Sequence, residues 1–464
     1  MIGFIRQLMR RESTPGRLLI VGYLGLIAVG TILLMLPFSN AQRGVDRCSP
    51  IDALFTATSG VCVTGLIVKD TATDFSIIGK VVILILIQIG GLGYMTLATV
   101  FFLMLGRRIS LRQRLMVQEQ FPQLTMGRLA RFVGRVFKVT VLMEGVGMVF
   151  LTIGFLRQGY LPYRALWLGL FHAVSAFCNA GFSIISGNLS AFTSDPIICV
   201  TVSTLFILGG AGFIVLSDLR NRLFVRRFHW LEVHTRLAGT VSIILVLLGM
   251  LVILALERDG VLDGLSTPAR VLASYFHAAT PRTAGFNTLP VGAMRPATLF
   301  FVMILMFIGA SPGGTGGGVK TTTVGAVGTY VWSTLRGRRQ VTLFRRTLSS
   351  EDMERAFVVL SLGLLVVVGG SMVLLSTQSE IVGARGPLVL LFEEMSAFGT
   401  VGLSTGSSSE PTVSLSHDFT SAGKLVIIAT MLAGRIGPLT LGAAIFLRRD
   451  RERYRYSTAR ILVG

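Results

Sequence analysis

The chain has 464 residues, of which 52% are hydrophobic and only 14% charged. A soluble domain carries about 25% charged residues, so the composition excludes an ordinary soluble protein and points to the membrane. The formal net charge of +20 would suit a nucleic-acid partner, but its distribution argues against one, because the Arg clusters fall at every second boundary between apolar runs.

The runs are predominantly apolar over about 20 residues, the length that crosses a bilayer. In chain order they cover residues 17–38, 77–105, 132–155, 197–216, 237–256, 297–308 with a continuation past 323, 357–375 and 424–447, which makes eight candidate spans. The basic clusters lie at 6–17, 107–138, 220–236, 336–355 and 448–460. Membrane proteins keep Lys and Arg in their cytoplasmic loops, so both termini are expected inside and no nucleic-acid partner is expected. The first run follows Arg6, Arg10, Arg11 and Arg17, as in a signal peptide. It is too long for a signal's apolar core and lacks a small-residue cleavage site, so it is read as a retained span. Cys48, Cys62, Cys178 and Cys199 have no metal-ligand spacing, and no disulfide framework is expected.

Between successive pairs of runs one short pattern recurs. It has a Phe, a Ser or Thr four residues on, and a Gly five or six residues after that: Phe55, Ser59 and Gly65; Phe171, Ser175 and Gly181; Phe276, Thr280 and Gly285; Phe392, Ser396 and Gly402. Pro50, Pro162, Pro268 and Pro387 precede the four Phe residues. A repeat sets the architecture, and here it divides the chain into quarters. Each has an apolar run, a short segment begun by Pro, a Gly loop and a second run. The short segments cannot cross a bilayer and suit re-entrant half-helices. Ser49 before Pro50 and Thr267 before Pro268 are read as capping hydroxyls ahead of a proline in the first helical turn. Leu161 and Gly386 precede the other two prolines and offer no such cap.

Irregular backbone at membrane depth is tolerated where protein surrounds it or where it lines a watery cavity. Four such loops sharing one cavity predict an all-α integral membrane fold: four pseudo-symmetric helix–pore-helix–helix repeats, eight transmembrane helices and four re-entrant half-helices around one central pore. The repeats are placed at 1–105, 106–218, 219–335 and 336–464. A plain polytopic protein with the short segments as outer loops is the alternative reading.

A dehydrated cation needs oxygens in place of water, and rings of backbone carbonyls can supply them. The residues expected to form such a filter are Val63, Thr64 and Gly65; Asn179, Ala180 and Gly181; Thr283, Ala284 and Gly285; and Thr400, Val401 and Gly402. Gly reaches the backbone angles this needs without steric cost, and the C-terminal ends of the half-helices carry partial negative charge toward the ion. The third loop is one residue shorter and carries Arg282, which is expected to turn away and pair with a carboxylate or carbonyls. Asp52, Glu393 and Glu394 are expected to face an outer vestibule.

The second run of the third quarter is broken by Gly309, Pro312, Gly313, Gly314, Gly316, Gly317 and Gly318 ahead of Lys320. Gly costs a helix about 1 kcal/mol and Pro about 3, so a loop must lie inside the membrane at 309–320. The stretch imitates a phosphate-binding loop, but Val319 stands between Gly318 and Lys320 where that motif needs Gly-Lys. Lys320 is expected to anchor the loop. Arg435 lies within the last run, where a cation is costly and functional by default, with an ion pair to Glu144 as the other reading. His172 and His277 suit half-helix packing and hydrogen bonding, since no ligand cluster accompanies them.

These motifs resemble the Trk/Ktr/HKT superfamily of cation transporters, and the Ktr-type membrane subunit most of all. The carrying residues are the four loops, Gln88 to Tyr94, Gly209 to Phe213, Ser311 to Gly318 and Ala433 to Pro438. The resemblance implies potassium uptake, with Gly65 standing where Ser goes with sodium selectivity in plant relatives. It implies that Gly309, Gly313, Gly314, Gly316, Gly317, Gly318 and Lys320 form a gate, with Arg435 facing the ion path below the filter. It also implies a homodimer in a bacterial-type inner membrane, surrounded by lipid and working with a cytosolic ring of nucleotide-binding regulatory subunits. No organic cofactor is expected; potassium is the cargo, and sodium is left open as an activator. The competing class is an integral-membrane enzyme using Glu144, His172, His277 and Arg435.

Overall fold

A computed structural model describes residues 15–41, 48–93, 129–224, 231–338 and 340–446. The basic stretches at 6–14, 107–128, 225–230 and 448–460, and the inner part of the second run at 94–105, lie outside these residues.

The described chain is helical apart from one hairpin, in which β1 (Thr342–Leu343) pairs antiparallel with β2 (Arg346–Thr347). The first quarter holds α1 (Pro15–Met35), α2 (Pro50–Cys62) and α3 (Ile77–Leu92). The second holds α4 (Leu129–Arg157), α5 (Pro162–Phe177), α6 (Pro196–Ala211) and α7 (Phe213–Phe224). The third holds α8 (Val233–Leu256), α9 (Thr267–Ala279), α10 (Pro296–Phe307) and α11 (Thr321–Leu335). The fourth holds α12 (Ser350–Thr377), α13 (Ser379–Arg385), α14 (Pro387–Gly399), α15 (Ser421–Ile436) and α16 (Pro438–Phe446).

The Pro-started helices α2, α9 and α14 have 13 residues each, and α5 has 16. At 1.5 Å per residue they are about 20–24 Å long, short of the roughly 30 Å hydrocarbon core. Ser49 caps α2 by accepting from the Asp52 N–H at 3.2 Å. The reading of Thr267 as a cap needs correction: Ser266 occupies that position, its side chain makes no capping bond, and Thr267 is already helical.

Among the described residues, three helices are long and apolar enough to cross a membrane: Val133–Arg157, Val233–Leu256 and Ser350–Thr377. A bent pair, α6 with α7, would make a fourth, and its two halves meet at 101°. The apolar helices Leu19–Met35, Ile77–Leu92 and Pro296–Phe307 are shorter. The runs at 197–216 and 424–447, read as candidate spans, are each divided within their length. Gly212 and Gly437 interrupt them at φ of 94° and 92°, a left-handed backbone that ends a right-handed helix. Gly93 ends α3 in the same way at φ 75°.

The core explains why Phe recurs. Phe55, Phe171, Phe276 and Phe392 are all fully buried, and each inserts into the quarter that precedes it. Phe171 and Phe182 pack among Tyr23, Ile27, Ile83 and Ile87 of the first quarter. Phe276 and Phe286 pack among Val202, Leu205 and Phe206 of the second. Phe392 and Leu403 pack among Leu299, Val302 and Met306 of the third. Phe55 and Leu66 pack among Leu374, Ile427 and Met431 of the fourth. The last of these contacts closes the circle, so the four quarters interlock without a free end.

Candidate functional site

The four loop glycines meet where the quarters converge. Gly65, Gly181, Gly285 and Gly402 have φ of 93°, 68°, 74° and 90°, a region other residues enter only with strain. A Cβ on Gly65 would lie 3.2 Å from the Cα of Gly181, and one on Gly181 would lie 2.9 Å from the Cα of Gly285. One on Gly285 would lie 3.3 Å from the Cα of Gly402, and one on Gly402 would lie 2.9 Å from the Cα of Gly65. The glycines therefore form a closed ring in chain order. The carbonyl oxygens of Thr64, Ala180, Ala284 and Val401 lie at the same ring, each against the glycine of a neighbouring loop.

Two residues before each glycine the chain is left-handed again: φ is 57° at Val63, 61° at Asn179, 71° at Thr283 and 48° at Thr400. These are not glycines, so surrounding contacts must hold the conformation. The amides supply one such hold. Thr64 N–H donates to Ser59 O at 2.8 Å, Ala180 N–H to Ser175 O at 2.7 Å, Ala284 N–H to Thr280 O at 2.9 Å and Val401 N–H to Ser396 O at 2.8 Å. The third loop keeps the bond with one residue fewer. In a trans peptide the C=O points opposite to the N–H. The carbonyls of Val63, Asn179, Thr283 and Thr400 are thus turned away from α2, α5, α9 and α14.

The repeated hydroxyl completes each loop. Ser59 Oγ accepts from the Gly65 N–H at 3.0 Å, and Ser396 Oγ accepts from the Gly402 N–H at 3.1 Å. Ser175 Oγ and Thr280 Oγ1 instead donate to the carbonyls of Phe182 and Phe286, both at 2.7 Å. On one side of the ring opens a cavity of about 200 Å³, lined by Gly65, Gly181, Gly402, Asp70, Ser183 and Ser404 among others.

On the other side lies the glycine-rich loop between α10 and α11. Its ends are zipped together, since Gly309 N–H donates to Val319 O at 2.8 Å and Val319 N–H to Phe307 O at 3.3 Å. It is tied to the second quarter through Ser311 N–H to Gly210 O at 2.9 Å and Phe213 N–H to Gly313 O at 3.0 Å. Gly318 N–H donates to Gly434 O of the fourth quarter at 3.3 Å. Gly314 and Gly316 have no room for a side chain: a Cβ on Gly314 would lie 3.0 Å from Gly209 O, and one on Gly316 would strike Thr283 Oγ1. Lys320 Nζ donates to Gly316 O at 2.6 Å and Gly317 O at 3.3 Å, the anchoring expected of it. Arg435 donates to Thr315 O and Gly90 O, and reaches Gly91 O at 3.4 Å. A second cavity of about 200 Å³ is lined by Gly313, Gly314, Gly316, Lys320, Arg435 and Tyr23 among others.

The remaining expectations fare unevenly. Arg435 makes no ion pair among the described residues; Glu144 instead accepts from Gln88 Nε2 at 3.3 Å. Arg282 finds no carboxylate among them, and its Nε is buried without a partner. Asp52, Glu393 and Glu394 are buried rather than facing a vestibule. Asp52 pairs with Lys424 at 2.8 Å, Glu393 accepts from the Ser416 N–H at 3.0 Å, and Glu394 accepts from Thr430 at 2.8 Å. Each carboxylate supports packing between segments that a linear reading cannot bring together. His172 bonds Leu168 O at 2.8 Å and Ser183 Oγ at 2.9 Å, and His277 Nε2 accepts from the Leu289 N–H at 3.0 Å. Both histidines hold the strand of chain that leaves the ring. Asn188 was missed: its Nδ2 donates to Gly181 O at 3.2 Å, and nothing in its sequence neighbourhood signals that contact.

A family model described as TrkH, cation transport protein, matches residues 19–452. The chain is 40% identical over 454 residues to the Ktr system potassium uptake protein B of Bacillus subtilis, covering 97% of each. It is 35% identical over 465 residues to the potassium/sodium uptake protein NtpJ of Enterococcus hirae, covering 99% of each. The crystal structure of the potassium transporter TrkH from Vibrio parahaemolyticus superposes with a TM-score of 0.70, covering 94% of this chain and 86% of that one. At 18% identity this last likeness speaks for the fold alone.

Proposed function

The chain belongs to the TrkH family of cation transport proteins, and from that premise we propose that it is the ion-conducting membrane subunit of a Ktr-type potassium uptake system. The observation that carries this reading is the closed ring of left-handed glycines, with the loop amides turned back to the half-helices. In this reading residues 63–65, 179–181, 283–285 and 400–402 present main-chain oxygens that take the place of water around a dehydrated potassium ion. The carbonyl ends of the half-helices add favourable potential. The cavity beside Asp70 is the outer mouth, and the one beside Lys320 and Arg435 is the inner mouth.

The four quarters then act as membrane repeats, at 1–105, 106–218, 219–335 and 336–464. The first helix and the second helix of each repeat make two spans, eight in all, with both termini in the cytoplasm. The loop at 309–320 is the gate. It lies between the ring and the inner mouth, and Lys320 and Arg435 hold it there through its own carbonyls. Arg435 also places a fixed positive charge on the path, which raises the barrier to cations.

Potassium is favoured by the relatives named for its uptake and by glycine at position 65. The Enterococcus relative is named for both potassium and sodium, which keeps sodium in view as an activator. The membrane potential is worth about 2.3 kcal/mol per charge per 100 mV. At about 1.4 kcal/mol per tenfold it supports roughly a fiftyfold inward gradient with no coupled ion. A second copy of the chain and a cytosolic nucleotide-binding regulator are the partners this role calls for, with the basic inner loops as the docking surface. The enzyme reading falls away, because the family is one of transporters.

The test is rubidium uptake into liposomes holding the purified chain under an inside-negative potential. Uptake that potassium competes away supports the proposal. Liposomes that stay tight to rubidium, with and without the cytosolic partner, would reject it.

A further inference from the structure

Beneath the ring, three of the four left-handed residues carry polar side chains, and the glycine-rich loop meets all three. Thr315 Oγ1 lies 3.0 Å from Asn179 Oδ1, with Phe177 O at 3.3 Å as its alternative acceptor. Asn179 Nδ2 donates in turn to Thr283 Oγ1 at 3.1 Å. Gly317 N–H donates to Thr400 Oγ1 at 3.0 Å. Asn179, Thr283, Thr315 and Thr400 are all fully buried. The fourth left-handed residue, Val63, packs against Gly90, whose carbonyl Arg435 holds.

A loop that served only to fill the passage would need bulk there. This one has glycine on either side of Thr315 and makes directional hydrogen bonds to left-handed, non-glycine residues of the ring loops. A left-handed conformation is costly for a non-glycine residue and persists only where its surroundings enforce it. Withdrawing the loop removes part of that enforcement. It also strips partners from buried polar atoms, and each one left unsatisfied carries a desolvation penalty.

We propose that Thr315 and Asn179 are positioning residues that couple the gate to the filter, so that the place of the loop sets how sharply the ring discriminates between potassium and smaller cations. This rests on the reading of the ring as filter and the loop as gate. With the loop seated, the chain Thr315–Asn179–Thr283 and the bond Gly317–Thr400 brace three of the four filter segments from below. With the loop withdrawn, those segments relax and the ring tolerates a smaller ion. Linkage makes the effect reciprocal: an ion that fits the ring stabilises the seated loop.

The experiment measures the ratio of rubidium to sodium flux in liposomes for wild type, Thr315→Val, Thr315→Ser, Asn179→Gly and the Thr315→Val/Asn179→Gly pair. Valine keeps the shape of threonine without its hydroxyl. Glycine removes the amide while favouring the left-handed backbone, which guards against misfolding. The ratio is expected to fall about tenfold for Thr315→Val and for Asn179→Gly, equivalent to about 1.4 kcal/mol. It should fall no further in the pair, because both changes cut one chain of bonds, and Thr315→Ser should keep the wild-type ratio. A Thr315→Val protein with raised flux and an unchanged ratio would overturn the coupling while leaving the transport reading intact. A ratio that falls equally for Thr315→Ser would also overturn it, by assigning the effect to packing. Absence of rubidium flux in the wild type would strike the underlying reading instead.

Discussion

Lys424 Nζ, in α15, lies 2.8 Å from Asp52 Oδ1, in α2, and each side chain is only 12% exposed. The pair bonds the last quarter to the first, at the joint that no chain connection spans. Asp52 is further held by the Ser49 hydroxyl at 2.7 Å.

Breaking a buried pair by removing one partner leaves an uncompensated charge, at a cost of about 3–5 kcal/mol. Lys424→Met is therefore expected to lower thermal stability in detergent strongly. Adding Asp52→Asn should restore part of the loss, because it removes the orphaned charge. Equal melting temperatures for Lys424→Met and wild type would show that the pair does not hold the ring closed.

The filter glycines should tolerate no side chain. Gly181→Ser and Gly402→Ser combine a left-handed backbone with a neighbouring loop in the way. A penalty of about 1.4 kcal/mol in the conducting geometry already means roughly a tenfold loss of rubidium flux. Gly239 in α8 has open space around it, so Gly239→Ser should conduct as wild type. Flux that survives at all four ring positions would contradict the filter assignment.

Much of this was legible in the residues. The recurring Phe, hydroxyl and Gly pointed to the ring of glycines, because a repeat places equivalent positions together without any long-range knowledge. The break at 309–320 was equally plain, since no helix continues through so many glycines. The kinks at Gly212 and Gly437 were not, because glycines inside an apolar run read like ordinary helix packing. The buried carboxylates were misplaced for a related reason. Asp52 meets Lys424 only once the circle closes, and Glu393 meets Ser416 only once the fourth quarter folds back on itself; a linear chain gives no distance for either pair.

The interlocking phenylalanines make a stability prediction. Phe276 is fully buried and sits edge-on to Phe206 with ring centres 5.7 Å apart. Phe276→Ala should cost about 3–5 kcal/mol through the cavity it leaves. Phe300→Ala should change little, since Phe300 is 59% exposed on an outward helix face. Thermal melts in the same detergent compare the two, and equal losses would remove the interlock as a source of stability.

The gate makes the converse prediction, a gain of flux. Deleting residues 313–317 removes the segment that meets Asn179, Thr283 and Thr400, and basal rubidium flux should rise. Arg435→Ala should raise it too, by roughly tenfold if the lost anchors to Thr315 and Gly90 are worth about 1.4 kcal/mol. A folded Arg435→Ala protein with reduced flux would mean that the guanidinium assists conduction.

The most direct measurement is the anomalous scattering of crystals grown in rubidium or thallium. The carbonyl ring predicts a peak on the central axis, enclosed by residues 63–65, 179–181, 283–285 and 400–402. An ordered ring with no peak, or heavy ions bound only elsewhere in the molecule, would contradict it.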